Sequence, residues 1–250
     1  MEHFLGIFFG VVAFLYAMVG HGGASGYLAV GALAGLTPGA LKGQALVLNL
    51  LVAAFSSYSF TKAGYLRPKL LIPLVVLSMP AAYWGAKLPL DPAVAKLLLG
   101  VCLVLASFRM FFHFWLVKKS QEVIPKVPSL LVLGLVGLGL GFLSGLTGVG
   151  GGIYLSPILL LAGWATVKET AATSAWFIWL NSAAGLFGLS CGSSFPSLPW
   201  EWILPAVIGG FLGANLGAQR LGEMRLRQAL AVVLMMAALK LISTSGLLHA

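Results

Sequence analysis

The sequence predicts an all-α integral membrane protein, built as two inverted repeats of about five hydrophobic helical segments each, with glycine-broken short helix hairpins. Three observations predict it. Hydrophobic residues make up 60% of the 250 residues and charged residues only 8%, with a mean hydropathy of +1.01. Ten apolar spans divide into five and five about one polar stretch. Lysine and arginine gather on one side of the membrane under only one folding of these spans.

A soluble domain carries roughly 25% charged residues, so this chain cannot cover a water-facing surface. Its apolar segments are long runs and not alternating strands of roughly ten residues, which favours helices over a barrel. The formal charge of +9 comes from 15 Lys+Arg against 6 Asp+Glu. The basic residues stand singly or in small groups between spans, as membrane topology signals do, so no nucleic acid partner is expected. The partner is the lipid bilayer of the cell (inner) membrane, crossed several times. Cys102 and Cys191 lack metal-ligand spacing and read as small hydrophobes. Met1-Glu2-His3 lacks the basic region of a cleaved signal peptide, so the first span is expected to stay.

The spans run over 4–19, 27–41, 43–60, 70–86, 97–117, 129–147, 153–167, 170–191, 202–218 and 228–248. The linker Lys118-Lys119-Ser120-Gln121-Glu122-Val123-Ile124-Pro125-Lys126-Val127-Pro128 separates a first repeat (1–117) from a second (129–250). Small residues recur between the halves. Gly22-Gly23 matches Gly150-Gly151, Pro73 matches Pro205, Gly85-Ala86 matches Gly217-Ala218, and Asp91 matches Glu223. The loop Cys191–Ser197 accounts for most of the drift in spacing.

Cytoplasmic loops collect Lys and Arg. If the short spans around each glycine break form a hairpin, ten basic residues share one side: Lys62, Arg67, Lys69, Lys118, Lys119, Lys126, Lys168, Arg220, Arg225 and Arg227. Only Lys42, Lys87 and Lys96 take the other side. One continuous crossing per broken pair would split the same residues six to seven, which carries no signal. The repeats are therefore expected to be inverted, with the linker 118–128 cytoplasmic and both termini outside. The short spans either cross fully or meet at mid-depth. A 30 Å core needs about 20 residues, so re-entrant or strongly tilted hairpins are favoured.

The breaks are Gly20-His21-Gly22-Gly23-Ala24-Ser25-Gly26 and Gly148-Val149-Gly150-Gly151-Gly152. Unwound backbone in hydrocarbon survives only where protein buries it or where it lines a polar cavity. Two breaks in corresponding places mark a transporter's substrate site. A helix that starts after such a break presents unpaired N–H groups and about half a positive charge, which suits an anion. Gly22, Gly23, Gly150, Gly151 and Gly152 are the candidate seat. Helix packing instead accounts for Gly134, Gly137, Gly139 and Gly141.

Neutral donors in the following spans are further candidates for substrate contact: Gln44, Asn49, Thr173, Ser174 and Asn181. Each also has a reading as a helix–helix hydrogen bond. His21 either binds the anion, carries a proton or caps a loop; Val149 is its counterpart. Arg109 and Lys240 are read as snorkelling cations. Lys168-Glu169 is read as a solvated pair, and Trp200 and Trp202 as an interfacial belt.

Together the run Gly148–Gly152 with Pro157, Ala172-Thr173-Ser174, and Gly213-Ala214-Asn215-Leu216-Gly217-Ala218 resemble the sulfite exporter TauE/SafE family, also described as the toluene-sulfonate uptake permease group. The first half repeats the pattern more loosely in Gly20-His21-Gly22-Gly23, Gln44-Ala45 and Ala82-Tyr83-Trp84-Gly85-Ala86. It has no Thr-Ser pair and no counterpart of Pro157. The resemblance spans essentially the whole chain. It implies secondary transport of a small sulfur-containing anion such as sulfite, a sulfonate or sulfoacetate.

The residues themselves leave other classes to weigh. Gly141-Phe142-Leu143-Ser144-Gly145 loosely resembles a serine nucleophile turn, but no histidine motif accompanies it, so no enzyme is expected. A passive anion channel of the same architecture is the alternative. No cofactor and no nucleotide motif is expected. Proton coupling is open through His21 or Glu169.

Overall fold

The computed structural model describes residues 2–36, 38–88, 104, 126–190 and 198–243. Every regular element among them is helical: α1 (Glu2–Met18), α2 (Ala24–Leu33), α3 (Pro38–Lys62), α4 (Pro68–Lys87), α5 (Leu130–Thr147), α6 (Gly152–Leu161), α7 (Val167–Ser190), α8 (Trp200–Asn215), a π-helical turn (Leu216–Arg220) and α9 (Glu223–Ser243). Asp91, Lys96, the fifth span with Cys102 and Arg109, linker residues 118–125, Cys191 and the Lys240 side chain lie outside the described residues.

Among the described residues, four helical stretches are long and apolar enough to cross a membrane: Leu41–Lys62, Pro68–Lys87, Leu130–Thr147 and Trp200–Arg220. Leu5–Met18 and Gly152–Leu161 are apolar but shorter. Burial is inside-out relative to a soluble protein. Leu130, Leu131 and Leu135 of α5 and Leu204, Ile208 and Phe211 of α8 are exposed, whereas His21, Asn49, Thr173, Ser174, Asn181 and Ser182 are buried. Hydrocarbon offers polar groups no partner, so they face the interior of the helix bundle, where His21, Asn49, Ser174 and Ser182 hydrogen-bond to other side chains.

The most extensive helix contacts are α4 on α5 and α8 on α1. Thus the first helix of each half packs on the fourth helix of the other. Both contacts are parallel, and both depend on glycine. A Cβ at Gly137, Gly141 or Gly145 would strike the backbone of Leu74, Ser78 or Ala82. One at Gly209, Gly213 or Gly217 would strike Gly10, Phe14 or Met18. Small residues four apart lie on one face and let backbones approach closely. At the centre α3 and α7 run antiparallel. Trp176 Nε1 donates to Thr61 Oγ1 at 2.8 Å, and Asn49 Nδ2 donates to Ser182 Oγ at 2.8 Å.

Several local expectations are corrected. The first break is narrower than its glycine content suggests, because Ala24-Ser25-Gly26 is already the first turn of α2. Gly26 is there for packing, since a Cβ would lie 2.4 Å from Val12 Cγ1. The third span begins at Pro38, and α6 ends at Leu161, followed by Gly163 at φ 67°. Thr173-Ser174 therefore stands well inside α7. Gly139 has nothing within 4 Å, so it plays no part in the packing of its neighbours. Trp202 is buried edge-on against Phe9 at 5.0 Å, so of this pair Trp200 is the exposed member.

Lys168 and Glu169 do not pair with each other. Glu169 Oε1 lies 2.7 Å from Arg67 Nε, while Lys168 Nζ donates to Tyr65 OH and Ala218 O. The other carboxylate oxygen accepts from Thr166 N, and Glu169 N donates to Thr166 Oγ1. Thr166-x-x-Glu169 is a capping box that starts α7, and it explains why Glu169 faces the backbone.

Candidate substrate site at the glycine breaks

Each break opens where a glycine ends a long helix. At the end of α1, Gly20 takes φ 78°, with Gly20 N bonded to Ala17 O and His21 N to Tyr16 O. At the end of α5, Gly148 takes φ 72° and bonds to Ser144 O. Gly23, Gly150 and Gly151 follow at φ 97°, 81° and 79°. Side-chain-bearing residues are disfavoured in this region by about 1–2 kcal/mol, so the glycines dictate where α2 and α6 begin.

Asn49, close to midway along α3, joins the two breaks. Its Oδ1 accepts from Ala24 N, the first residue of α2, at 3.1 Å. Its Nδ2 donates to Ser182 Oγ, which borders Gly150. The surroundings are glycine-shaped: a Cβ at Gly22 would lie 2.0 Å from Oδ1, and one at Gly150 would lie 2.4 Å from Nδ2. A second link starts from His21. Its Nδ1 is 3.0 Å from Val19 O, and its Nε2 is 3.1 Å from Ser156 Oγ. Ser156 Oγ also lies 2.9 Å from Ser174 Oγ and 3.0 Å from Gly152 O. A neutral ring donating from Nδ1 to the carbonyl leaves Nε2 to accept from the serine.

The breaks are not equivalent. Ile178 stands against Gly152 where Asn49 stands against Ala24. Among the described residues, no side-chain hydrogen bond caps the N-terminus of α6. Lys42 packs its stem against Gly148 and donates from Nζ to Leu146 O at 3.1 Å, whereas the backbone of Ala171 faces Gly20. Among the described residues, seven buried side-chain polar atoms of the second half have no hydrogen-bond partner: Ser144 Oγ, Tyr154 OH, Thr170 Oγ1, Thr173 Oγ1, Asn181 Oδ1, Ser190 Oγ and Trp202 Nε1. Ser144 Cβ lies within 3.1 Å of the place a Cβ would take on Gly151.

The structure thus brings Gly22, Asn49 and Gly150 together, and likewise His21, Gly152 and Ser174. Gly23 packs on Tyr27, whose OH donates to Gly22 O at 2.9 Å, and Gly151 packs on Phe177. Asn181 donates to Phe177 O in its own helix at 2.8 Å. Gln44 is half-buried on α3 between Lys42 and Asn49. Sequence reasoning missed Ser156, Ser182 and Lys42. Ser156 stands one turn after Gly152, and Ser182 follows Asn181, which were usable signals. In the sequence Lys42 reads only as a topology charge. Ser144 has no histidine partner among the described residues, and His21 is engaged with Ser156.

Comparison with known proteins gives the same direction. The family model described as Sulfite exporter TauE/SafE matches residues 4–241. The chain is 40% identical to the probable membrane transporter protein y4hK of Sinorhizobium fredii, over 95% of this chain and 97% of that protein. It is 27% identical to the probable membrane transporter protein MJ0441 of Methanocaldococcus jannaschii, over 77% and 74% of the two chains. It is 26% identical to the probable membrane transporter protein YjnA of Bacillus subtilis, over 95% and 97%. No solved structure matches the chain.

Proposed function

The chain belongs to the sulfite exporter TauE/SafE family of membrane proteins, and from that membership and the geometry of its breaks we propose that it is a secondary transporter for a small sulfur-containing anion of the sulfite, sulfonate or sulfoacetate class. That it is a membrane transporter follows from the family and from the relatives. The substrate and its seat are our reading.

The inequality of the two breaks carries this reading. Asn49 satisfies the start of α2, but among the described residues no side-chain hydrogen bond caps the start of α6. The first N–H groups of a helix carry about half a positive charge, and an anion can take the place of the missing cap. Lys42 beside Gly148 adds a cation. The hydroxyls of Thr173, Ser174 and Ser144 would supply further donors to an anion whose oxygens are clustered on one sulfur. No cofactor is needed for such a seat.

We read the repeats as inverted and the breaks as the tips of oppositely directed hairpins. The ten-to-three charge split supports this. So do Tyr16 OH with Ser25 Oγ at 2.9 Å and Phe9 with Tyr27 at 5.3 Å, contacts that bring α2 back along α1. On this reading the linker 118–128 is cytoplasmic and both termini face outward. Asn49, Phe177 and Ile178 pack the glycines closely, which favours a carrier that opens its site alternately over a standing channel. His21 is the group through which proton coupling would pass.

The test is uptake by reconstituted vesicles of sulfite, sulfate, thiosulfate, sulfoacetate and carboxylates, with and without a pH gradient. Saturable, counter-transported flux of a sulfur oxyanion is expected. Preference for carboxylates, or flux that never saturates, would refute the substrate or the carrier assignment respectively. Labelling of Ser120→Cys from the cytoplasmic side alone is expected in a background lacking Cys102 and Cys191. Labelling from outside would overturn the topology.

A further inference from the structure

A cleft of about 320 Å³ lies between α3 and α7, toward the Lys62 end of α3. Its α3 wall runs from Ala54 through Tyr58 to Lys62, and its α7 wall is Trp176 and Trp179. Residues four apart share one face of a helix, and Ala54, Tyr58 and Lys62 are all exposed. The cleft therefore opens on the outer face of a helix long and apolar enough to cross a membrane. From Lys62 to Ala54 it follows about 12 Å of α3, inward from the end of the span.

The polar groups beside it are withdrawn. Ser57 Oγ is buried and presents essentially no accessible surface. Thr61 Oγ1 accepts from Trp176 Nε1 at 2.8 Å. The two indoles meet edge to face at 5.8 Å and form a rigid apolar wall. Water needs about two to four polar partners to stay in such a space, and these walls do not offer them. Left empty, the cleft would forfeit dispersion contacts along its length. Hydrocarbon suits it, and hydrocarbon is what a bilayer lays against α3. Lys62 adds a cation at the mouth, with its Nζ 5.8 Å from the centre of the Tyr58 ring. As the last residue of the span, it stands at the depth where lipid headgroups begin.

We propose that this cleft is a lipid site, which takes one acyl chain of an anionic phospholipid whose phosphate pairs with Lys62. The chain lies along Ala54 and Tyr58 and against Trp179. Charge stands only at the mouth and the walls are apolar, which matches a phospholipid end to end. The chain is wedged between the two helices whose Asn49–Ser182 hydrogen bond joins the glycine breaks, so the bound lipid braces that pair. The site is separate from the seat of the transported anion and does not depend on that assignment.

The probe is phosphatidylglycerol with dibrominated acyl chains, which quench tryptophan fluorescence on contact. The full chain is reconstituted in phosphatidylcholine vesicles with rising fractions of the probe. The Trp179 signal is the difference between the parent and Trp179→Phe. Half-maximal quenching is expected at about one-fifth of the fraction that dibrominated phosphatidylcholine requires. That ratio corresponds to about 1 kcal/mol, the contribution of one basic residue near an anionic lipid surface. Lys62→Gln, at an exposed position, should bring the two lipids level. Ala54→Phe, also exposed, should fill the cleft and abolish quenching of Trp179 by both. In detergent, added phosphatidylglycerol should raise the parent's melting temperature more than phosphatidylcholine does, and Lys62→Gln should remove the difference. Equal quenching by the two lipids in the parent would overturn the anionic headgroup. Undiminished quenching in Ala54→Phe would show that the chain meets Trp179 outside the cleft and would overturn the site. Equal melting with both lipids would overturn the bracing role. A Trp179 that no lipid quenches, in a chain found dimeric by light scattering, would give the cleft to a second copy instead.

Discussion

Replacing Thr173 with valine should make the protein more stable and a poorer binder at once. Thr173 is fully buried, and its Oγ1 has no partner. Valine keeps the shape and deletes the hydroxyl. An unpaired buried hydroxyl costs about 1–3 kcal/mol; membrane hydrogen bonds, averaging about 0.6 kcal/mol, set a lower bound on the scale. The ligand-free variant should therefore melt higher, by a few degrees at about 2–4 °C per kcal/mol for a chain of this size. If the hydroxyl donates to a bound oxyanion, its loss removes about 1.5–3 kcal/mol, or roughly 10- to 150-fold in affinity. Thermal melting with a sulfite titration reads both effects. At sulfite equal to 100 times the parent Kd, the parent gains about 2.7 kcal/mol from ligand, and the variant should keep only about 0.3–1.4. A variant that melts lower without ligand, yet shows the parent's full sulfite shift, would refute the placement of Thr173 in the seat.

Asn49→Ala strands both the Ala24 N–H and the Ser182 hydroxyl, at about 1–3 kcal/mol for each orphaned group, so a lower melting temperature and loss of sulfite-dependent stabilisation are expected together. Gly141→Leu should prevent folding, because its Cβ would lie 2.2 Å from Ser78 O, whereas Gly139→Leu should be tolerated, with nothing within 4 Å; gel filtration of the two purified variants reads the difference. Glu169→Ala should cost about 1 kcal/mol through the lost α7 cap, while Arg67→Gln should cost less, since a partly exposed ion pair contributes only about 0–1 kcal/mol; melting of the two single variants separates the cap from the pair.

Much of this protein was written locally. Its composition determined a helical membrane protein, and the glycines determined where α1 and α5 stop, because glycine acts on the backbone at its own position. Helices stop at both glycine runs that the sequence pairs, before Gly22-Gly23 and before Gly150-Gly151, and the run through Thr173-Ser174 carried the family resemblance. Helix boundaries were less legible. Ala24–Gly26 reads as unwound by composition, yet it folds as helix, since Gly26 serves close packing with Val12. Glu169 reads as solvated, but its place beside Thr166 turns it to the backbone.

Partnership across the halves was decided only by the tertiary structure. Nothing in the neighbourhood of Asn49 announces that its two amide atoms serve opposite breaks, or that Ile178 fills the corresponding place in the second half and leaves α6 uncapped. His21 finds Ser156 and Lys42 finds Leu146 O only after α1 packs on α8 and α4 on α5. The sequence alone determined that a new helix starts after each of the two glycine runs. Which of these helix starts is capped depends on side chains brought in from distant segments, because a buried polar group takes whatever partner the packing delivers.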